Sequence, residues 1–518
     1  MKRIRLLSVA LTILLLSIPA YVSAQTKKLT VLYSNDLHAH LEPHRVPWIS
    51  ETRLVGGFAN FATLVKREKA KNPNTLYFDA GDFFTGPYIS SLTKGEAVID
   101  AMNYLGIDAA CVGNHEFDHG WQNARLQFEK AKFPILNGNI FIKGTEQLHW
   151  NNPYIVKEVN GVRIGIIGLH GRFAFYDTTS DEMIQGIEAR DEEVYLKRYI
   201  DELRPKTDLI VLLIHQGIPG RQSTSGAVDV ARNLQKDIEL AERVPGLDLM
   251  VTGHAHTGTP KPLISNGTII VSTDAYTIEL GKLELTYDVK KDKIVKFKNH
   301  YGPVFDDAIP DDPEMAAVIK KWKDKLKVIT EEVVTNSTVE LTRSYGEESL
   351  LGDMVADAML DAYPDYDFAI TNSGGLRQDI DAGPVTVGEL ISAFPFPNTV
   401  YQLEMKGSDL RKIFEHGAGL TNGILQASRG IEMEYDESKP VGQRVVKCLI
   451  KGQPLADDKT YRLLTSNFLA DGGDGFAVFK SASFRKNTGV EILQSMIKYL
   501  KKFETFAPKI EGRVKRAK

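Results

Sequence analysis

The sequence predicts an α/β protein built as more than one layered domain, and three observations carry that prediction. Apolar runs of strand length alternate with segments of helical spacing through the first half of the chain. At 518 residues the chain exceeds what a single hydrophobic core sustains, so two or three domains are expected. Five of the apolar runs stop at a burst of Asp, His or Asn, as parallel strands do where their carboxyl ends line a binding edge. With 43% hydrophobic and 25% charged residues, the composition excludes a disordered or fibrous chain.

Met1 to Ala24 reads as a signal peptide. Lys2, Arg3 and Arg5 form a basic start, Leu6 to Ile18 an apolar middle, and Val22-Ser-Ala24 a small-residue cleavage site before Gln25. The apolar run is short for a bilayer, no Cys follows it, and no later run is long enough to span. The expectation is a secreted, periplasmic protein with no stable membrane anchor. The net charge of −4 gives no general attraction to a nucleic acid polymer, so phosphate recognition must be local. No obligate protein partner is evident. Cys111 and Cys448 lie far apart, and Cys111 falls in an apolar run as a small core residue.

Leu29 to Tyr33 reads as a strand running into Ser34-Asn-Asp-Leu-His-Ala-His40. Gly57 to Lys71 has helical spacing, with Phe58, Phe61, Leu64 and Val65 on one face. Thr75 to Phe78 is a strand ending at Asp79-Ala-Gly-Asp82, and Glu96 to Leu105 a helix. Ala109 to Val112 then hands over to Gly113-Asn-His-Glu-Phe-Asp118, the densest polar turn in the chain. Asn151 to Leu169 reads as a hairpin-like pair. Asp208 to Ile214 closes on His215-Gln-Gly217, and Leu247 to Val251 on Thr252-Gly-His-Ala-His256. Five such bursts on one sheet edge would converge.

Asp36, His38, Asp82, Asn114, His215, His254 and His256 make seven candidate ligands. Seven is too many for one four-coordinate ion and suits two ions sharing a carboxylate. The mixture of imidazole, carboxylate and amide oxygen favours Zn, Mn, Co or Fe over Mg or Ca, with Zn, Mn or Co foremost. His115 is a surplus imidazole, and Asp118, three residues on, is placed to orient it. Such a pair can stabilise phosphoryl charge or protonate a departing oxygen. His40, His44 and His119 read as surface or supporting residues, because the ligand set is already full.

In the second half, 311–335 is charged, Pro-started and helical in spacing, either a connector or the first helix of the next domain. Gly352 to Ala362 reads as strand and helix. Phe368 to Thr371 is a strand running into Asn372-Ser-Gly-Gly-Leu-Arg377, where the glycines allow close approach and Arg377 offers a fork for phosphate. Phe394-Pro-Phe-Pro397 holds a rigid aromatic suited to stacking on a base, and Phe468 shares a Gly-rich loop with Asp474, a candidate for a ribose diol. Core aromatics beside turns are the competing reading of both segments.

Together, Asn35-Asp-Leu-His38, Gly81-Asp82, Gly113-Asn-His-Glu-Phe-Asp118, His215 and Gly253-His-Ala-His256 resemble the calcineurin-like metallophosphoesterase core, and more narrowly the secreted 5′-nucleotidase family. The resemblance implies a four-layer metallophosphoesterase sandwich followed by a second α/β substrate-binding domain. The implied boundaries are 25–308 for the first domain, 309–335 for a linker helix and 336–518 for the second. It also implies one metal on Asp36, His38, Asp82 and His256, a second on Asp82, Asn114, His215 and His254, and a catalytic dyad of His115 and Asp118. Phe396 and Phe468 would sandwich the base, Asn372, Gly374 and Arg377 would line the pocket, and Asp474 would meet the ribose. Arg343, spaced differently from the family pattern in Arg343-Ser-Tyr-Gly-Glu-Glu-Ser-Leu-Leu-Gly352, is the candidate for a further phosphate contact.

The function expected is release of phosphate from nucleoside 5′-monophosphates. Hydrolysis of 2′,3′-cyclic nucleotides, 3′-nucleotides or UDP-sugars is the alternative within the class. A non-catalytic nucleotide-binding protein would need a broken metal set or dyad, and the sequence has neither.

Overall fold

The computed structural model describes residues 26–220, 228–421 and 423–517. The leader expected at Met1–Ala24 lies outside the described residues. Among those described, no helix is long and apolar enough to cross a membrane.

The first half is a sandwich of two six-stranded sheets. In the first sheet the spatial order is Lys293–His300, Gly281–Asp288, Thr26–Ser34, Thr75–Asp79, Ala109–Cys111 and Ile135–Leu136. The last four strands run parallel. In the second sheet the order is Leu263–Ser265, Thr268–Val271, Leu249–His254, Leu209–Gln216, Val162–His170 and Tyr154–Val159. Tyr154–Val159 and Val162–His170 form the antiparallel hairpin that the sequence announced.

The continuous apolar runs are explained by burial on both faces. Along Leu209–Gln216, Val211 and Leu213 join Tyr33, Phe78 and Val251 in the core between the sheets. Ile210, Leu212 and Ile214 point the other way, against Leu196 and Tyr199 of helix Glu192–Leu203. On the first sheet's outer face, Phe58, Phe61 and Val65 of helix Phe58–Lys71 form a third core with Val98 and Met102. Helix, sheet, sheet and helix therefore stack as four layers.

The strand ends are divided between the sheets. Three polar bursts follow strands of the first sheet and two follow strands of the second, so the single sheet edge expected from the sequence is really two facing edges.

Helix Pro313–Thr330 starts as its sequence dictates, with Asp312 capping the Met315 amide at 3.1 Å and Pro313 in the first turn. Its Met315, Ile319, Trp322 and Leu326 are buried in the same core as Phe58 and Phe61, which seats the helix on the first domain.

The second half centres on a five-stranded sheet in the order Leu425–Ala427, Phe368–Asn372, Thr460–Ser466, Thr399–Lys406 and Phe484–Glu491. Helices Leu350–Ala362 and Ile492–Leu500 cover one face through Met354, Val355 and Met496, and Gly407–Gly419 covers the other through Ile413 and Phe414. The segment read as strand and helix from Gly352 is helix throughout, begun two residues earlier by the Ser349 side chain accepting the Gly352 amide at 3.1 Å. Cys111 and Cys448 are both buried free thiols.

Candidate active site

The turns that follow the strands are held against one another by their backbones. The Asp36 amide donates to the Gly81 carbonyl at 2.9 Å, and the His38 amide to the Asp82 carbonyl at 2.9 Å. Asp36, His38, Asp82, His254 and His256 all adopt positive φ, between 45° and 77°. Non-glycine residues pay roughly 1–3 kcal/mol each for such backbone, which concentrates at functional sites.

The result is a buried cluster. Asp36, His38 and His256 bring ligand atoms within 4.8 Å of one another, as do Asp82, His215 and His254. Asp82 stands between the two groups, with Oδ2 at 3.1 Å from His215 Nε2 and 3.8 Å from His38 Nε2. Asn114 lines the same cavity as Asp82, His254 and His256, with both amide atoms buried and without hydrogen bonds. All seven expected ligands are thus brought together, Asp36 through Asn114 from the first sheet and the three later histidines from the second.

The donor set fits a pair of cations. His38 Nδ1 lies 2.9 Å from the Thr85 carbonyl and His215 Nδ1 2.8 Å from the Ala80 carbonyl. A carbonyl only accepts, so each Nδ1 carries a proton and each Nε2 is the atom turned toward the carboxylates. His38 Nε2 and His256 Nε2 are 3.0 Å apart, a spacing that calls for a proton or cation between them. His215 Nε2, His254 Nε2 and Asn114 Oδ1 are buried without hydrogen bonds.

Charge points the same way. Burial pushes the Asp36 carboxyl up to about 6 and the adjacent Asp79 carboxyl up to about 7. Against burial, Asp82 and Asp36 push His215 up to about 10, so one imidazolium serves two carboxylates. Asp82 and Asp36 thus draw positive charge to the point that His215 faces.

His115 and Asp118 sit at the rim. His115 Nδ1 is 2.7 Å from Asp118 Oδ2, and its Nε2 is 4.0 Å from Asp82 Oδ2. Burial works against the imidazolium, but Asp118 and then Asp82 raise His115 above its ordinary value.

The second domain closes the cleft. Arg377 Nη2 lies 3.4 Å from His38 Nε2, and the Phe396 ring is centred 5.7 Å from that of His115. A cavity runs from Asp82 and His256 to Phe396, Phe468 and Asp474. Asn372 and Gly374 line it, and Asn372 Nδ2 donates to Asp474 Oδ2 at 2.7 Å. Gly374 keeps its bare face toward the cavity, since a Cβ there would meet only Asn372 and Asp474, at 3.5 and 3.9 Å. Of the two phenylalanines in Phe394-Pro-Phe-Pro397, Phe394 is core and Phe396 lines the cavity.

One sequence expectation needs correction. Arg343 is not among the residues lining the cavity; its guanidinium donates to the Arg377 carbonyl and its amide to Asp379 Oδ1 at 2.7 Å, so it stands behind Arg377. Of the two readings open for His40, surface or supporting, the structure gives the second. His40 is buried, with Nδ1 at 2.9 Å from the His38 carbonyl and its ring centred 4.4 Å from that of His44. His119 is half-buried, with its Nε2 enclosed.

Sequence reasoning also passed over two residues. His170 ends strand Val162–His170 beside His215, with ring centroids 5.6 Å apart, and a sixth polar strand end would have flagged it. Glu116, inside the densest motif, is fully buried with four backbone amides on its carboxylate. The first domain's Thr178, Ser180 and Met183 also line the cavity.

Comparison with known proteins gives the same two halves. Residues 29–258 match the calcineurin-like phosphoesterase family, and 328–481 match the 5′-nucleotidase C-terminal domain. A 5′-nucleotidase from Homo sapiens is 30% identical over 561 aligned positions, covering 98% of this chain and 94% of its own. A snake venom 5′-nucleotidase from Naja atra is 31% identical, covering 94% of this chain and 98% of its own. The crystal structure of a 5′-nucleotidase precursor from Thermus thermophilus superposes with a TM-score of 0.83 at 29% identity, over 95% of this chain and 99% of that one. With both halves matched and a fitting dinuclear donor set between them, the chain belongs to the 5′-nucleotidase family of metal-dependent phosphomonoester hydrolases.

Proposed function

We propose that this protein releases orthophosphate from nucleoside 5′-monophosphates after export from the cytoplasm. The observation that carries the reading is the single oxygen of Asp82 facing two ligand groups at one end of a cavity whose other end holds Phe396, Phe468 and Asp474. One metal is assigned to Asp36, His38, Asp82 and His256, and the other to Asp82, Asn114, His215 and His254, with Zn, Mn or Co as the occupants. A bound cation pair supplies Lewis acidity toward water and the phosphoryl oxygens.

The chain's own residues do the rest. His115, its Nδ1 anchored on Asp118, presents Nε2–H to a phosphoryl oxygen and stabilises the charge that develops there. Arg377 offers two donors to the same group from the opposite domain. Phe396 and Phe468 take the base between them, and Asp474, held by Asn372, accepts from the ribose hydroxyls. Arg343 acts by holding Arg377 in place. In this reading 1–24 is a cleaved leader, 25–308 brings the metals and dyad, 309–335 is the joining helix, and 336–518 chooses the nucleotide.

The test is phosphate release by the mature protein from AMP, 3′-AMP, 2′,3′-cyclic AMP and UDP-glucose, run beside metal analysis. Preference for AMP with two metal equivalents is the expected result. No release from AMP overturns the proposal.

A further inference from the structure

Glu116 has no part in the chemistry described above, and its surroundings are unusual for a carboxylate. It is fully buried, and among the described residues no lysine or arginine forms an ion pair with it. Its partners are backbone amides from two different turns. Oε1 accepts from Phe83 N and Phe84 N, each at 3.0 Å. Oε2 accepts from Asp82 N at 3.1 Å and from Gly113 N at 2.6 Å. Three consecutive amides of one turn and one amide of the next converge on a single carboxylate, an anion nest filled by the chain itself.

The two turns are the ones that carry Asp82 and Asn114. Asp82 is held at a φ of 59°, and its Oδ1 is already committed to the His115 amide at 2.8 Å. That leaves Oδ2 as the oxygen facing both ligand groups. The orientation of Asp82 is therefore set by amide contacts on both sides, and Glu116 supplies the contact on its own backbone.

We infer that Glu116 is a positioning residue for the shared carboxylate: it fixes the spacing of the Asp82 and Asn114 turns so that Asp82 Oδ2 and the Asn114 amide meet one cation. This rests on the assignment of the cluster as a two-metal site. Glu116→Gln keeps the shape but replaces one acceptor oxygen with an NH₂ group, which sets N–H against N–H at two of the four contacts. Glu116→Asp keeps the charge but withdraws it by one methylene.

The experiment uses the full mature chain, stripped of metal and titrated with Mn²⁺ by calorimetry, with electron paramagnetic resonance of the loaded protein and adenosine binding as a check on the second domain. The wild type is expected to take two equivalents and to show an exchange-coupled manganese pair. Glu116→Gln is expected to bind one equivalent about 10–100-fold more weakly, the range found when a group supporting a ligand is removed. Its coupled signal should give way to that of isolated ions, with kcat for AMP lowered and KM little changed. Glu116→Asp should fall between the two.

A wild type without two equivalents would remove the two-metal assignment itself. A wild type with two, matched by Glu116→Gln in affinity and coupling, would remove only the role of Glu116. Loss of the folded circular dichroism spectrum and of adenosine binding in both variants would also overturn it, by making Glu116 a requirement of the fold.

Discussion

Gly113→Ala probes how tightly the two ligand-bearing turns are pressed together. A Cβ on Gly113 would lie 2.2 Å from Asp82 Oδ1 and 2.5 Å from the Asp82 amide nitrogen. Carbon and its neighbours rest at about 3.5–4.0 Å, so the Asp82 turn would have to retreat by roughly 1 Å. It cannot retreat freely, because the Asp36 amide holds the Gly81 carbonyl and the His38 amide holds the Asp82 carbonyl, each at 2.9 Å. Overpacking of this kind costs about 1–3 kcal/mol. The larger effect is on turnover, since a 1 Å misplacement of a reacting group can cost about 100-fold. The assay is thermal melting together with kcat/KM for AMP at saturating metal. Gly302→Ala is the control, because a Cβ there meets nothing within 4 Å. A Gly113→Ala protein indistinguishable from Gly302→Ala in both measurements would refute the reasoning.

Asp118→Asn leaves the shape of the rim but removes the charge that anchors His115, and should lower kcat for AMP by about 10²–10⁴-fold with both metals still bound; an unchanged kcat contradicts the dyad. Phe396→Ala and Phe468→Ala should each raise KM for AMP about 10–100-fold, from roughly 1–3 kcal/mol of base stacking, while hydrolysis of p-nitrophenyl phosphate is spared. Burial, reinforced by Glu348 and partly opposed by Arg513, pushes the Asp353 carboxyl up to about 9. The folded chain therefore keeps this proton after the unfolded chain has lost it, and the stability it contributes is complete below the ordinary carboxylate range and lost as pH rises through the folded value. Between about pH 6 and about pH 9 the wild type should lose roughly 1–4 kcal/mol that Asp353→Asn keeps, read as a steeper fall in melting temperature; parallel pH profiles would contradict this.

Much of the first domain was legible because its strands are buried on both faces. A run such as Leu209 to Ile214 has no polar residue to mistake, and the change to His215 marks where the sheet stops. The same double burial hides which sheet a strand joins, so five polar ends looked like one edge when two sheets supply them. Backbone conformation was also out of reach. Asp36, His38, Asp82, His254 and His256 occupy left-handed backbone that their side chains do not favour, and only the neighbouring turns hold them there. In the second domain, the prolines of Phe394-Pro-Phe-Pro397 signalled a rigid turn without saying which ring faces the cavity. Arg343 was misplaced for a related reason: a guanidinium meets a backbone carbonyl as readily as a phosphate, and sequence does not tell the two apart.

The division of ligands between the sheets has a mechanical consequence. Each proposed cation would be gripped by strand ends from both halves of the sandwich, Asp36 and His38 with His256, Asp82 and Asn114 with His215 and His254. Metal bound there acts as a clasp across the open end of the core, and whatever holds only the assembled pair of sheets adds its binding free energy to their union. The first domain should thus melt at a temperature that climbs with free metal concentration, while the second domain, outside the clasp, should not follow it.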